Sequence, residues 1–485
     1  MEIQPRKLRI IMKISIKYAV FLAVFWAFAS CKTPAIVGKI ENRNIPNSYL
    51  NTPGDSSGSL SLWSDYFKDQ YLVALIDTAL KNNQELNIMR QEIAIASNEV
   101  MARKGEYLPF VSLRAGAGLE RTARYTRQGA VEANVEIKPD REMPDPLPDF
   151  MLGAFATWEV DIWKRLRNAT KSANLRYLAS AEGRNFTITN VVAEIASSYY
   201  ELLALDAELT IINQNVEIQN NALRIVRLEK ESAKVTELAV KRFEALVLNT
   251  QTLRYNTQQR IVESENRINF LMGRYPQPVR RDTVNFVTLK PNVANLGIPT
   301  RLIENRPDVR RAELELTAAK IDVQVAKANF YPRLGLSGGV GLQAFNPILL
   351  INPKSLLSTL TGDLIKPWIN KRAITAEYFS SNSRQIQSVY NYERSVLNAY
   401  VEVVNQYSNI NNLQGAFDTK YNEVQVLNQS ITISNNLFRS ARADYVEILL
   451  TQREALDSKF DLLEFKLRQM QASVNLYRAL GGGWK

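Results

Sequence analysis

The placement of proline and glycine constrains this chain more than any other feature. No proline occurs from Asp149 to Tyr275, and none follows Pro367. Gly183 is the only glycine between 154 and 272, and Gly415 the only one between 368 and 480. Proline removes a backbone donor and glycine adds backbone freedom, so a helix interior tolerates neither well. Two segments of more than a hundred residues therefore lack the residues that end helices, and both are rich in Ala, Leu, Glu, Gln, Arg and Lys. They read as very long helices, each bent back once.

A seven-residue apolar series runs unbroken through the second segment: Val389, Val396, Val403, Ile410, Phe417, Val424, Ile431 and Phe438. The first segment carries Ile195, Leu202, Leu209, Val216 and Leu223. Shifting this shorter series by 208 residues superposes it on part of the longer one and takes Gly273 to Gly481. The chain thus reads as an internal duplication with a shared heptad phase, which imposes left-handed supercoiling. A helix from about 164 to 230 extends roughly 100 Å, beyond the span of a compact globule. Tyr400, Tyr407 and Tyr421 widen the apolar face. Each helix therefore needs neighbours on both sides, as in a closed ring.

Segments of period two precede each helical hairpin. In 108–118, Val111, Leu113, Ala115 and Ala117 share one face, and Ser112, Arg114, Gly116 and Gly118 the other. The stretch 331–341 repeats the design, and 151–161 and 355–366 supply two more strands. Apolar–polar alternation over about ten residues marks an outer-membrane strand. Four strands cannot enclose a lumen, whereas three copies supply twelve. The proline-rich loop 125–149 is expected to face outward.

Composition removes most enzyme chemistries. The chain has no histidine, one cysteine and no phosphate-binding G-x-x-x-x-G-K-[ST] loop. Imidazole-based triads, histidine zinc sites and disulfide frameworks are absent with them. The net charge is +11, but the bases are spread along the chain, which argues against a nucleic-acid groove. Five bases (Arg6, Lys7, Arg9, Lys13 and Lys17) precede an apolar run over 18–29. That run is too short to span a bilayer as a helix and reads as a secretory signal over 1–30, starting at Met1 or Met12. Cys31 follows Phe28-Ala29-Ser30. This resembles the bacterial lipoprotein box, with Phe28 in place of the usual leucine, and implies a covalent lipid on Cys31.

Three further pieces carry a resemblance that covers nearly all of the mature chain. The stretch from Ile298 through Arg306-Pro307-Asp308 to Glu313 is followed by Ala326-Lys327-Ala328-Asn329-Phe330-Tyr331-Pro332. The end reads Leu476-Tyr477-Arg478-Ala479-Leu480-Gly481-Gly482-Gly483-Trp484, and an early pattern links Trp63, Phe67, Asp69, Leu72, Ala79, Asn83 and Leu86. Together they resemble the TolC/OprM-type outer membrane efflux factor family. Arg306-Pro307-Asp308 reads as a helix start and the terminal glycines as a helix stop, neither with a chemical role.

The resemblance implies a mainly helical protomer with membrane β-strands. A homotrimer forms a twelve-stranded barrel continuous with a twelve-helix coiled-coil α-barrel. The function implied is the outer membrane exit duct of a tripartite efflux pump, fed by an inner-membrane transporter and a periplasmic adaptor; the pump class stays open, with lipidation and the Leu480-Gly481-Gly482-Gly483-Trp484 end leaning toward resistance-nodulation-division systems rather than peptide secretion. A type I secretion channel and a periplasmic adaptor are the alternatives. Homotrimeric partners, adaptor, transporter and outer membrane lipid are expected, with no nucleic acid, no cofactor beyond the lipid and no enzyme activity. The expected layout is signal 1–30, lipidated linker 31–62, first repeat 63–272 with strands near 108–124 and 150–161, connection 273–299, second repeat 300–480 with strands near 331–345 and 355–366, and tail 481–485. The shared shift places the helical tips at Glu231, Ser232, Ala233 and Lys234, and at Ser440, Ala441, Arg442 and Asp444, as adaptor contacts. Glu447 and Leu450 are expected at the closed aperture.

Overall fold

A computed structural model describes residues 33–49, 62–138, 141–282, 285–294, 296–367, 369, 371–440 and 442–484. The signal segment, Cys31 and Ala441 lie outside the described residues. The start of the first repeat, which carries the pattern from Trp63 to Leu86, is three helices: α1 (Trp63–Tyr66), α2 (Gln70–Asn82) and α3 (Gln84–Tyr107). Two side chains make the breaks. Asp69 Oδ1 accepts from the amides of Tyr71 (2.8 Å) and Leu72, starting α2. Asn83 Oδ1 accepts from the amide of Leu86 at 3.1 Å, starting α3. Periodicity alone does not register a break that keeps the apolar phase.

Strand β1 (Phe110–Glu120) follows, then α4 (Arg127–Glu132), the short strands β2 (Glu136–Lys138) and β3 (Arg141–Glu142), and β4 (Leu147–Val160). The expected loop 125–149 thus contains a helix, a small hairpin and the first residues of β4. Thr126 Oγ1 accepts from the amide of Gly129 at 3.2 Å and caps α4. The long hairpin is α5 (Arg165–Glu231) and α6 (Glu237–Leu271). After a 3₁₀ turn come α7 (Arg301–Asn305), α8 (Pro307–Ala328), β5 (Arg333–Ala344), β6 (Leu356–Ile365), α9 (Arg372–Arg439) and α10 (Tyr445–Ala479). Helix α9 spans 68 residues and α5 spans 67.

The chain divides into two compact units, and α5 and α9 contribute to both. The first takes residues up to 40, 95–177 and 315–389. It holds one antiparallel sheet in the order β1-β4-β5-β6. The register aligns Leu113, Ala154 and Val340, then Ala115, Leu152, Leu342 and Leu356. Alternation puts these on one face, and Ser112, Arg114, Gly153, Gly339, Gly341 and Thr359 on the other. Both edge strands, β1 and β6, lack an outer partner among the described residues.

The second unit takes 41–94, 178–314 and the residues from 390 onward. Its core joins Leu72 and Ile76 of α2, Ile195, Tyr199 and Leu202 of α5, Ile268 of α6, and Val474 and Tyr477 of α10. None of the heptad residues from Ile195 to Leu223, or from Val389 to Phe438, is exposed. The stripe read from sequence is therefore the seam along which the helices pack.

Candidate functional site

Helix α5 ends at Glu231 and α6 begins at Glu237. The turn closes with the amide of Lys234 donating to the Glu229 carbonyl at 2.9 Å, and Ala233 adopts φ +58°. Glu231, Ser232, Ala233 and Lys234 are all exposed. The second turn repeats the bond, with the amide of Arg442 donating to the Leu437 carbonyl at 2.9 Å. Asp444 accepts from the amide of Tyr445 and starts α10. Ser440, Arg442 and Asp444 are exposed.

Beneath the first turn lies an apolar cluster of Leu223, Val226, Ala239, Val240, Phe243 and Val247. Ile448 of α10 is buried in it, with Phe438 and Tyr445 packed alongside. Glu447, one residue before Ile448, and Leu450, two residues after it, are exposed, Leu450 at 53%. The structure thus gives Glu447 and Leu450 one shared, uncovered face.

An ion-pair network that the sequence reading passed over braces the first tip. Arg227 pairs with Glu244 at 2.8 Å, Lys230 with Glu237, and Lys241 with Glu244 at 2.9 Å. The lysines beside Glu237 and Glu244 hold both carboxyls below their ordinary pKa. The positions 208 residues on are Asn435, Phe438, Tyr445, Leu449 and Gln452. Every charge of the first tip's network is replaced by a neutral side chain at the second. The spacing of Glu237, Lys241 and Glu244 carried this signal in the sequence.

Arg306, read from sequence as part of a helix start only, is buried and does more. Its Nη1 donates to Glu402 Oε2 at 2.7 Å and to the Ala479 carbonyl at 3.0 Å, and its Nη2 to Asp308 at 2.7 Å. Burial opposes the charge, yet the Asp308 and Glu402 carboxylates hold the guanidinium pKa above its ordinary value. Pro307 opens α8, as a first-turn proline should.

In the first unit the sheet's apolar face is bare. Leu113, Val340 and Leu360 are exposed on it, in a chain whose described residues include no helix long and apolar enough to cross a membrane. Aromatic side chains gather at the end of the sheet where the helices begin. Trp158 Nε1 donates to the Tyr107 carbonyl at 3.0 Å, and Trp163 Nε1 to that of Pro332 at 2.7 Å, with Trp163 stacked on Tyr331. Aromatic girdles of this kind edge the apolar band of outer-membrane sheets. Close by, Ile36 packs against Phe330, Tyr378 and Ile374. Asn382 and Gln385 of α9 donate to the carbonyls of Val37 and Lys39. Farther along the same segment, within the second unit, Tyr400 donates to the Ser48 carbonyl and stacks on Tyr49.

The model of the outer membrane efflux protein family matches residues 75–274 and 298–482. The chain belongs to this outer membrane efflux protein family. The pyoverdine export outer membrane protein OpmQ of Pseudomonas aeruginosa is 26% identical over 438 residues, covering 90% of each chain. The probable outer membrane lipoprotein SilC of Salmonella typhimurium is 22% identical, over 89% of this chain and 90% of that one. The open-state structure of the Neisseria gonorrhoeae MtrE outer membrane channel shares the fold with a TM-score of 0.80 at 20% identity, covering 94% of this chain and 98% of the other. As a family member this efflux protein acts in the bacterial outer membrane, where it serves as an efflux channel.

Proposed function

We propose that three copies of the chain close into one duct, a twelve-stranded barrel in the outer membrane continuous with a twelve-helix barrel in the periplasm. The observation that carries this reading is the four-stranded sheet, apolar on one face and without an outer partner at either edge among the described residues. Within lipid an open edge leaves backbone groups unsatisfied at several kcal/mol each, so such a sheet must close on itself through other copies. The two halves of the chain, each ordered helix, two sheet strands and helical hairpin, read as the products of a duplication.

The efflux relatives support assembly with an inner-membrane transporter and a periplasmic adaptor rather than a secretion partner. The first turn, at Glu231, Ser232, Ala233 and Lys234, and the second, at Ser440, Ala441, Arg442 and Asp444, meet the adaptor. Glu447 and Leu450 ring the aperture, where three carboxylates bind cations and three leucines narrow the passage. A lipid on Cys31 anchors the chain. Ile36 lies five residues on, a reach of about 17 Å at most, beside the sheet's aromatic end. Acyl chains there enter the leaflet next to the barrel, and each buried CH₂ adds about 0.8 kcal/mol.

Heat-modifiable trimers that conduct ions in planar bilayers are the expected result. A monomer that is soluble without detergent and passes no current would sink the reading. Replacing Glu447 by Ala should weaken block by divalent cations; unchanged block removes the aperture assignment. A Cys31→Ala protein should lose the lipid mass from the mature N-terminus.

A further inference from the structure

The polar face of the sheet, the duct wall in the reading above, has a charge distribution that this reading does not require. Its carboxylates lie toward the two ends of the strands. At one end Asp149 accepts from Gln343 Nε2 at 3.0 Å. At the other, Glu159 takes a two-pronged bond from Arg165, the closer at 2.8 Å, in the row it shares with Gly335 and Asp363. Four rows lie between, and Arg114 is their only charged residue. It has no carboxylate partner among the described residues.

The surroundings of Arg114 are built for a guanidinium. Its Cζ lies 5.2 Å from the centre of the Phe155 ring. Phe155 in turn lies across Gly339, where any Cβ would overlap the ring. The nearest partners of Arg114 along its own row are Gly153 and Gly341, with Leu357 at the far end. A Cβ on Gly153 would fall 2.9 Å from the Gly341 Cα, so this part of the wall is bare backbone. The aromatic ring takes one face of the guanidinium and leaves its N–H edge turned to open space. That edge matches the two oxygens of a carboxylate, phosphate or sulfate.

We propose that Arg114 is a specificity-determining residue, repeated three times around the duct as a collar that attracts oxyanion-bearing solutes. The inference rests on the trimeric channel. A twelve-stranded barrel has a backbone radius of about 12 Å. The arginine extends inward from that wall, so its charge lies within about one Debye length (~8 Å at physiological salt) of the axis. Three guanidinium groups at one level, without a carboxylate partner among the described residues, therefore act on every ion that passes, whereas Glu159 at one end is neutralised by Arg165 and Asp149 at the other is held by Gln343.

The test measures reversal potential across a potassium chloride gradient in planar bilayers, and block by inorganic phosphate added from the barrel side. Arg114→Gln should lower the chloride-to-potassium permeability ratio roughly twofold or more and remove phosphate block. Arg114→Lys should keep the ratio, and Arg114→Glu should lower it further than Arg114→Gln, so the Lys–Glu pair decides if the Gln protein fails to form trimers. Phe155→Leu keeps the charge and frees the guanidinium; its ratio should stay near wild type while phosphate block weakens. A Gln protein with wild-type ratio and wild-type phosphate block, or a Lys–Glu pair that does not differ, overturns the proposal. Absence of any current from the wild-type protein would instead refute the channel itself, and the collar with it.

Discussion

Gly273 and Gly481 do the same work 208 residues apart. Both close a hairpin's second helix with positive φ, +66° and +89°. The amides that follow, of Arg274 and Gly482, donate five residues back, to the carbonyls of Asn269 and Tyr477. A Cβ on Gly273 would lie 2.5 Å from the Asn82 carbonyl oxygen, and one on Gly481 2.6 Å from that of Asn305. The residues after those two asparagines complete the parallel. Asn83 Nδ2 donates to the Leu271 carbonyl at 2.8 Å, just as Arg306 donates to that of Ala479. Gly273→Ala and Gly481→Ala should each destabilise by about 1–2 kcal/mol from φ alone, with the overlap adding to it; circular dichroism melts of the protein in detergent check this. A second residue-scale prediction concerns Asp161. It accepts from the amides of Leu166 (3.0 Å) and Arg167 (2.9 Å) at the start of α5. Burial pushes its carboxyl up, but these bonds and the Arg167 charge prevail and hold the pKa below the ordinary value. Its contribution is therefore complete above the unfolded carboxylate pKa of about 4 and is lost as pH falls through the lowered value. Asp161→Asn should lower the melting temperature at neutral pH by the equivalent of about 1 kcal/mol. The gap between the two proteins should shrink below about pH 4.

At the scale of elements, the two hairpin tips share a backbone turn and differ in what holds it. The first is laced by Arg227, Lys230, Glu237, Lys241 and Glu244, and the second has neutral side chains at all five positions. Exposed ion pairs weaken with salt, whereas apolar contacts strengthen or hold. The double substitution Glu237→Gln, Glu244→Gln should raise amide exchange across 228–236 at low salt. That rise should vanish near molar salt, and the turn at 439–444 should respond to neither change. Equal salt sensitivity of the two turns would contradict the contrast. How much of these elements was legible in the sequence follows from what each depends on. The long helices and their turns were readable because breakers and heptads are local and periodic; the 208-residue shift takes the bounds of α5 and α6 to within one residue of those of α9 and α10. The breaks at Asp69 and Asn83 were not, because each rests on one side chain choosing a backbone partner. Arg306 was read as a local helix start because Glu402 and Ala479 are distant in the chain and near only in space. The tip network was missed for the opposite reason: its spacing was visible, but charged helix faces are commonly mere solvation.

For the whole molecule the deciding question is what covers the apolar residues the single chain leaves bare. Along α6, Leu248, Tyr255 and Val262 recur at seven-residue spacing and are exposed; along α9, Val426 and Ile433 do the same. These lie off the buried seam, so each hairpin has a second apolar seam that the described residues leave exposed. A helix with two apolar seams at heptad spacing packs between two neighbours, the arrangement a closed ring of helices supplies. The edges of β1 and β6, without an outer partner among the described residues, pose the same demand in hydrogen bonds that the second seams pose in apolar area. The proposed joining of copies side by side would meet both at once, and twelve strands are the first multiple of four large enough to leave an open lumen. Burying a charge on the second seam should break this joining without disturbing the protomer, because Tyr255 faces away from the chain's own core. Tyr255→Glu is therefore expected to give a protein of unchanged helical content that runs as a monomer in detergent by light scattering and loses conductance. Charge reversal on the exposed face at Glu263→Lys should leave the trimer intact. A trimeric Tyr255→Glu protein with full conductance would mean that the second seam faces solvent in the assembly, and the ring of helices would have to be abandoned.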